Sequence, residues 1–311
     1  MAENSKHDDN NNDSGSNEAN DKQPEPQPIL PSPLPLLPPQ PRVVDIGINL
    51  THKTFRKHWR AVVRRSIDAG VDRILLTGTS LKGSRESLDL AQTWYDETGI
   101  PNLYVTVGVH PHDAKTWNAE TSGEELRELL RHPLAVAVGE CGLDYNRNFS
   151  SKRDQLFAFR EQVKIACECE MPMFLHEREA HEDFLTVFDE LLAADGESSS
   201  MPPSVVHCFT GTKEEAQVYA ERGFYIGFTG IICKKERGAP LRELLPSLPV
   251  DRLMVETDAP FMGFKKGRRS SEPADCADVA RKLGETIGVS FEDICRITTG
   301  NAMHFFSGML A

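Results

Sequence analysis

Four residues far apart in the chain, Glu140, His176, His207 and Asp258, combine two carboxylates with two imidazoles. Such a donor set suits a divalent cation of the Mg²⁺, Mn²⁺ or Zn²⁺ kind. Each residue alone says little. A histidine on an apolar strand is commonly a hydrogen-bonded core residue, and an aspartate before Ala-Pro commonly caps a turn. Glu140 is the more telling case. It closes the run Leu134-Ala-Val-Ala-Val-Gly, which has no polar side chain, and a glutamate is almost never buried without a partner. A cation shared with the histidines would supply that partner. Companion residues widen the chemistry. His112 in Gly-Val-His-Pro-His is suited to a phosphate or other substrate contact. Asp144 and Arg147 in Leu-Asp-Tyr-Asn-Arg could orient Glu140 and bind an anion, with a loop salt bridge as the alternative. Arg178, two residues past His176, and Asn49 are further substrate-binding candidates.

The elements that must position these groups are short β-rich runs alternating with helix-like segments. Strands are expected at 43–50, 72–79, 103–109, 135–140, 172–176, 204–209, 224–230 and 252–258. Between them, 55–69, 80–98, 151–169, 181–194 and 213–222 carry apolar residues at three and four spacing, the helical period. Further helices are expected at 273–287, 290–298 and 301–310. Eight strands alternating with helices predict a parallel sheet closed as a (β/α)8 TIM barrel. In that fold Asn49, His110-Pro-His112, Glu140, His176, His207 and Asp258 all fall at strand C-terminal ends, which share one mouth. Cys141 and Cys208 adjoin candidate ligands, and strand alternation would turn both to the opposite face.

The chain has 311 residues and a net charge of −12. Residues 1–41 form an expected disordered arm, acidic at first and then Pro-rich. Residues 42–311 have the length of one barrel domain. The first forty residues carry seven acids against two bases, so −7 remains on the rest. An acidic body argues against general adhesion to DNA or membranes, although a bound cation can reverse the sign locally. Lys265, Lys266, Arg268 and Arg269 form a basic cluster after the last strand, placed to steer a polyanion. PxxP matches in the arm suit a weak SH3 or WW contact, with a flexible spacer as the other reading. No signal peptide is recognisable, and no apolar run reaches membrane-spanning length. Seven scattered cysteines without a CxxC pair suit reduced thiols in the cytoplasm or nucleus. The chain is expected to be monomeric.

Longer stretches carry a resemblance. Asp-Ile-Gly-Ile-Asn-Leu-Thr-His at 45–52, Thr-Val-Gly-Val-His-Pro-His-Asp-Ala at 106–114 and Val-Gly-Glu-Cys-Gly-Leu-Asp-Tyr-Asn-Arg-Asn-Phe-Ser at 138–150 resemble the TatD family of metal-dependent deoxyribonucleases. So do His-Cys-Phe-Thr-Gly at 207–211, Ile-Gly-Phe-Thr-Gly at 226–230 and Val-Glu-Thr-Asp-Ala-Pro-Phe at 255–261. The resemblance implies a metallo-dependent hydrolase barrel that acts as a 3′→5′ exonuclease on single-stranded DNA or RNA. It implies Glu140, His176 and His207 as metal ligands, Asp258 as a metal-associated or catalytic carboxylate, and His112 at the scissile phosphate. Many relatives carry His-x-His on the first strand, where this chain has Gly47 and Asn49, and one ion or two remain compatible with that change. Mg²⁺ is the expected ion, with Mn²⁺ or Zn²⁺ as alternatives. Asp258 would serve as general base, Glu140 as a catalytic residue through the cation it holds, and His112, with Arg147 or Arg178, would stabilise charge on the phosphoryl group. Two other readings stay open. One is amide or ester hydrolysis on the same barrel, including deacylation of D-aminoacyl-tRNA; the other is a degenerate binding protein without turnover.

Overall fold

The computed structural model describes residues 41–195 and 201–310, and among them lie eight strands and nine α-helices. The strands are β1 (Val43–Ile48), β2 (Val71–Thr77), β3 (Leu103–Val107), β4 (Ala135–Asp144), β5 (Met173–Arg178), β6 (Ser204–Val206), β7 (Tyr225–Phe228) and β8 (Leu253–Val255). They pair in parallel in sequence order. The ring closes through a bridge between Ile48 and Ala259 and two backbone hydrogen bonds. Asp258 N–H donates to Gly47 O at 2.8 Å, and Asn49 N–H donates to Ala259 O at 2.7 Å. The expected barrel is the observed one. Its arm, apart from Pro41, and the PxxP matches lie outside the described residues.

The helices form because their ends are chemically marked. α2 (Leu81–Thr98) starts on Ser80, whose hydroxyl accepts from Gly83 N–H, and stops at Gly99 with φ of 68°. α4 (Lys152–Glu168) is capped by Ser151. α6 (Lys213–Glu221) opens with a complete capping box, Thr212 against Glu215. Each satisfies orphan backbone donors at the helix start. α1 (Trp59–Asp68), α3 (Ser122–Leu130), α5 (His181–Asp195), α7 (Ala239–Leu244) and α8 (Cys276–Ile287) complete the set with α9 (Phe291–Phe305). Their apolar faces and the strands form one buried core.

Several boundaries differ from expectation. Residues 55–58 are turns, so α1 starts late. The two helices expected at 290–298 and 301–310 are one, α9, followed by a short 3-10 turn; Gly300 lies inside α9 without breaking it. Strand β4 runs four residues past Glu140, to Asp144. The β4–β5 register breaks between Gly139 and Cys141, which places Glu140 on an irregularity. Gly139 (φ 142°) and Gly142 (φ 137°) permit it: a β-carbon on either would collide with the carbonyl of Phe174 or His176. A bulge of this kind re-aims one side chain, and here that side chain is Glu140.

Candidate active site

The strand ends converge on a cavity of about 570 Å³ whose lining includes Asn49, His110, His112, Glu140, Asp144 and His176. Arg147, Arg178, His207 and Asp258 line it too. Every residue singled out in the sequence for catalysis, metal or substrate therefore opens on the same space. The geometry centres on one atom. Glu140 Oε1 lies 2.8 Å from His207 Nε2, 2.9 Å from His176 Nδ1 and 3.2 Å from His110 Nε2. Burial alone would raise the Glu140 carboxyl, but the charges of His110 and His207, with hydrogen bonds from His110 and His176, hold it well below the usual range. Burial lowers His110. His207 is raised well above the ordinary imidazole value because the carboxylates of Glu140 and Glu256 outweigh its desolvation.

His110, Glu140 and His176 offer ligand atoms within 4.8 Å of one another, a grouping able to hold a metal ion. His176 Nε2 is buried without a hydrogen-bond partner among the described residues, 3.4 Å from Asp144 Oδ2. Buried polar atoms are nearly always satisfied, so an orphaned imidazole nitrogen beside the Asp144 carboxylate fits a cation ligand. His110 was not singled out from the sequence. It stands beside Pro111, in the same short motif as His112, and only the fold shows that its ring, not that of His112, approaches Glu140. His207 touches the same Glu140 oxygen without belonging to this grouping, and Asp258 lines the cavity nearby.

Around the triad each group has its own holder. Asp144, buried, accepts from Asn146 N–H (3.1 Å) and Arg147 N–H (2.9 Å) and meets His112 Nε2 at 2.8 Å. Its carboxyl is held well below its ordinary value: the adjacent His176 imidazole, with hydrogen bonds from Arg147 N–H and His112, overcomes burial. Glu256, fully buried, lies 3.3 Å from His207 Nδ1 and accepts from Cys208 N–H at 2.5 Å. Such a carboxylate behind an imidazole fixes its tautomer and orientation. A β-carbon on Gly47 would run into this same Glu256 carboxylate. Where an imidazole could have stood on β1, the space is filled by Glu256. Asn49 Nδ2 donates to Asp258 Oδ1 at 3.1 Å. Burial pushes the Asp258 carboxyl up to about 7, against the opposing charge of His207.

Two expectations change. Cys208 lines the cavity instead of facing away. β6 ends at Val206, and with Cys208 at φ 46° strand alternation no longer applies. Cys141 is buried in the core, as alternation requires. The basic cluster after β8 is partly neutralised. Lys265 pairs with Asp275 (2.8 Å) and Asp278 (2.7 Å), and Arg268 pairs with Asp275. The cations lining the cavity are instead Arg147, Arg178 and Arg237, all exposed. Arg178 donates to Thr210 Oγ1 at 2.8 Å. Arg237, unremarked in the sequence, lies between β7 and α7.

Residues 44–307 match the family model described as TatD related DNase. The chain is 43% identical over 267 residues to the 3′-5′ ssDNA/RNA exonuclease TatD of Citrobacter rodentium, covering 84% of this chain and 97% of that protein. It is 40% identical to the protein of that name from Escherichia coli K12, over 84% and 98%. Among solved structures, it is similar to a hydrolase TatD family protein from Entamoeba histolytica (TM-score 0.75, 26% identity, 85% of this chain and 98% of that one). A TatD homolog from Escherichia coli, YJJV, is alike to the same degree (TM-score 0.75, 27% identity, 86% and 98%).

Proposed function

Because the chain belongs to the TatD related DNase family, we propose that it hydrolyses phosphodiester bonds of single-stranded DNA or RNA from a free 3′ end. One observation carries the reading at atomic level: three imidazoles converge on a single buried carboxylate oxygen, Glu140 Oε1, at the floor of a cavity rimmed by arginines. His110, Glu140 and His176 would hold a divalent cation, with His207 and Asp258 completing its surroundings. When bound, such an ion polarises a phosphoryl oxygen and lowers the pKa of a coordinated water. Mg²⁺ is the sequence expectation, but the nitrogen-rich donor set favours a borderline ion, Mn²⁺ or Zn²⁺.

The chain's own groups divide the remaining work. Asp258 accepts a proton from the attacking water at its carboxylate, and Asn49 fixes its orientation. His112, oriented by the Asp144 carboxylate at its Nε2, would donate from Nδ1 to the phosphoryl oxygens in its imidazolium form. Arg147 and Arg178 bind the strand's phosphates as exposed cations. Glu140 keeps three imidazoles aligned whether or not an ion is present. The exonuclease relatives favour a phosphodiester over an amide or ester, and the full set of oriented polar groups favours turnover over a binding role. We place the reaction in the cytoplasm or nucleus. The cysteines form no disulfide among the described residues, and no helix there is long and apolar enough to cross a membrane.

The test is digestion of end-labelled single-stranded oligonucleotide with Mg²⁺, Mn²⁺ or Zn²⁺, or with chelator. Ladders shortening from the 3′ end with a metal, and intact substrate with chelator, are expected. Cleavage that persists after metal stripping would overturn the metal-dependent reading, and ladders shortening from the 5′ end would overturn the polarity.

A further inference from the structure

Two of the most exposed apolar side chains of the described residues stand at the cavity mouth. Phe149 is 61% exposed and Phe261 is 47% exposed. Scattered exposed phenylalanines are ordinary on protein surfaces, so their placement has to carry the argument. Phe149 follows β4 and Phe261 follows β8, four positions apart in a ring of eight, so they flank the mouth from opposite sides. Phe261 lines the cavity directly. The Phe149 ring stands 4.7 Å from that of His112, which lines it.

Both rings are held out by loops with tied backbones. Phe149 O accepts from Lys115 Nζ at 3.1 Å, and its neighbour Ser150 Oγ donates to His112 O at 2.8 Å and accepts from Lys115 N–H at 3.1 Å. Phe261 N–H donates to Asp258 O at 2.9 Å, closing a turn on that aspartate, and Phe261 O accepts from the Ser271 hydroxyl. Neither ring is stacked face to face on another among the described residues. Phe149 meets His112 at 88°, and Phe261 meets His52 at 65° with centroids 5.5 Å apart. Phe149 is thus fixed beside His112 and Phe261 beside Asp258, both of which line the cavity, and both rings keep exposed surface.

We propose that Phe149 and Phe261 are stacking platforms for the nucleobases on either side of the scissile phosphate, gripping the end of a single strand without regard to base identity. The proposal rests on the exonuclease reading and adds to it the part of the substrate that phosphate chemistry ignores. Stacking also answers an electrostatic difficulty. The cavity lining includes Asp113, Glu140, Asp144, Glu177 and Asp258 against three arginines, so charge alone holds a polyanion poorly. Every base has a π-face, and a stacked base contributes to affinity whatever its sequence. A paired base, its faces covered by neighbours in a duplex, cannot lie on such a ring.

The test compares single-stranded oligonucleotides whose two 3′-terminal nucleotides are natural or abasic, read as kcat and KM in saturating metal. Wild type should prefer the natural end in kcat/KM by roughly 5- to 150-fold per stacked base, mainly through KM. Phe261→Ala and Phe149→Ala should each reduce that preference, the double variant should bring it close to one, and Phe261→Trp should keep it. Melting curves and metal titrations confirm that the variants fold. A preference unchanged in both alanine variants, or absent in a wild type that degrades both oligonucleotides, overturns the stacking proposal alone. Failure of wild type to degrade either oligonucleotide overturns the exonuclease reading and the stacking with it.

Discussion

Glu140 and Asp258 are both carboxylates in one cavity, yet their surroundings push them in opposite directions. Replacing Glu140 with Gln keeps the volume but leaves three imidazoles without their anion. Nuclease activity should fall by roughly 10²- to 10⁴-fold. The metal-induced rise in melting temperature should also disappear. For wild type at a hundred times the dissociation constant that rise corresponds to about 2.7 kcal/mol, which scanning calorimetry with and without Mn²⁺ would reveal. Asp258→Asn should be inactive too, but it should stabilise the metal-free fold. The Asp258 carboxyl rises from its ordinary 3.8 to about 7, so the folded state holds its proton more tightly than the unfolded chain does. Its contribution is fully present below about 4 and is lost as pH climbs to about 7. The metal-free Asn variant should therefore melt above wild type, by a margin that grows from about pH 4 to about pH 7 and is level beyond. Equal melting temperatures at pH 5 and pH 8 would contradict this.

At the level of elements, the decisive feature is the irregularity in β4 around Glu140. Gly139→Ala would force a β-carbon against the Phe174 carbonyl at a backbone angle that only glycine adopts readily. A loss of about 1–3 kcal/mol or more is expected, read as a lower urea midpoint, together with weakened metal binding. The sequence made much of this legible and left the rest hidden for identifiable reasons. The alternation of apolar runs with helical periods predicted eight strands, because buried parallel strands must be apolar on both faces. It placed Glu140, His176 and His207 together, since strand ends of a barrel share one mouth. It gave a role to His112 and none to His110, because which ring nears Glu140 depends on how Pro111 turns the chain after β3. It ended β4 at Glu140, because a bulge lets a polar residue enter a strand without ending it. It missed Glu256, which sits two residues before Asp258 and faces His207 only once β6 and β8 are in place. Arg237 was equally invisible, since nothing in a Lys-Lys-Glu-Arg run shows which cation turns inward.

Across the whole molecule, a chain of net charge −12, of which −7 lies beyond the first forty residues, presents a thin rim of three arginines to its substrate. Binding of single-stranded oligonucleotide should weaken with salt only gently. A slope of about −0.7 per phosphate contact gives roughly −2 for log K against log salt. Fluorescence anisotropy at several salt concentrations, with Ca²⁺ in place of the active ion, would measure it. A slope near −6 would mean that many more cations are engaged than the rim supplies. The same contrast between rim and body bears on how long a partly digested strand stays attached. Few charges hold it, the surface beyond repels it, and each cut removes the nucleotide seated deepest. Digestion should accordingly be distributive: chains shorten together, one step per encounter, and an excess of unlabelled competitor added after the start halts the labelled ladder almost at once.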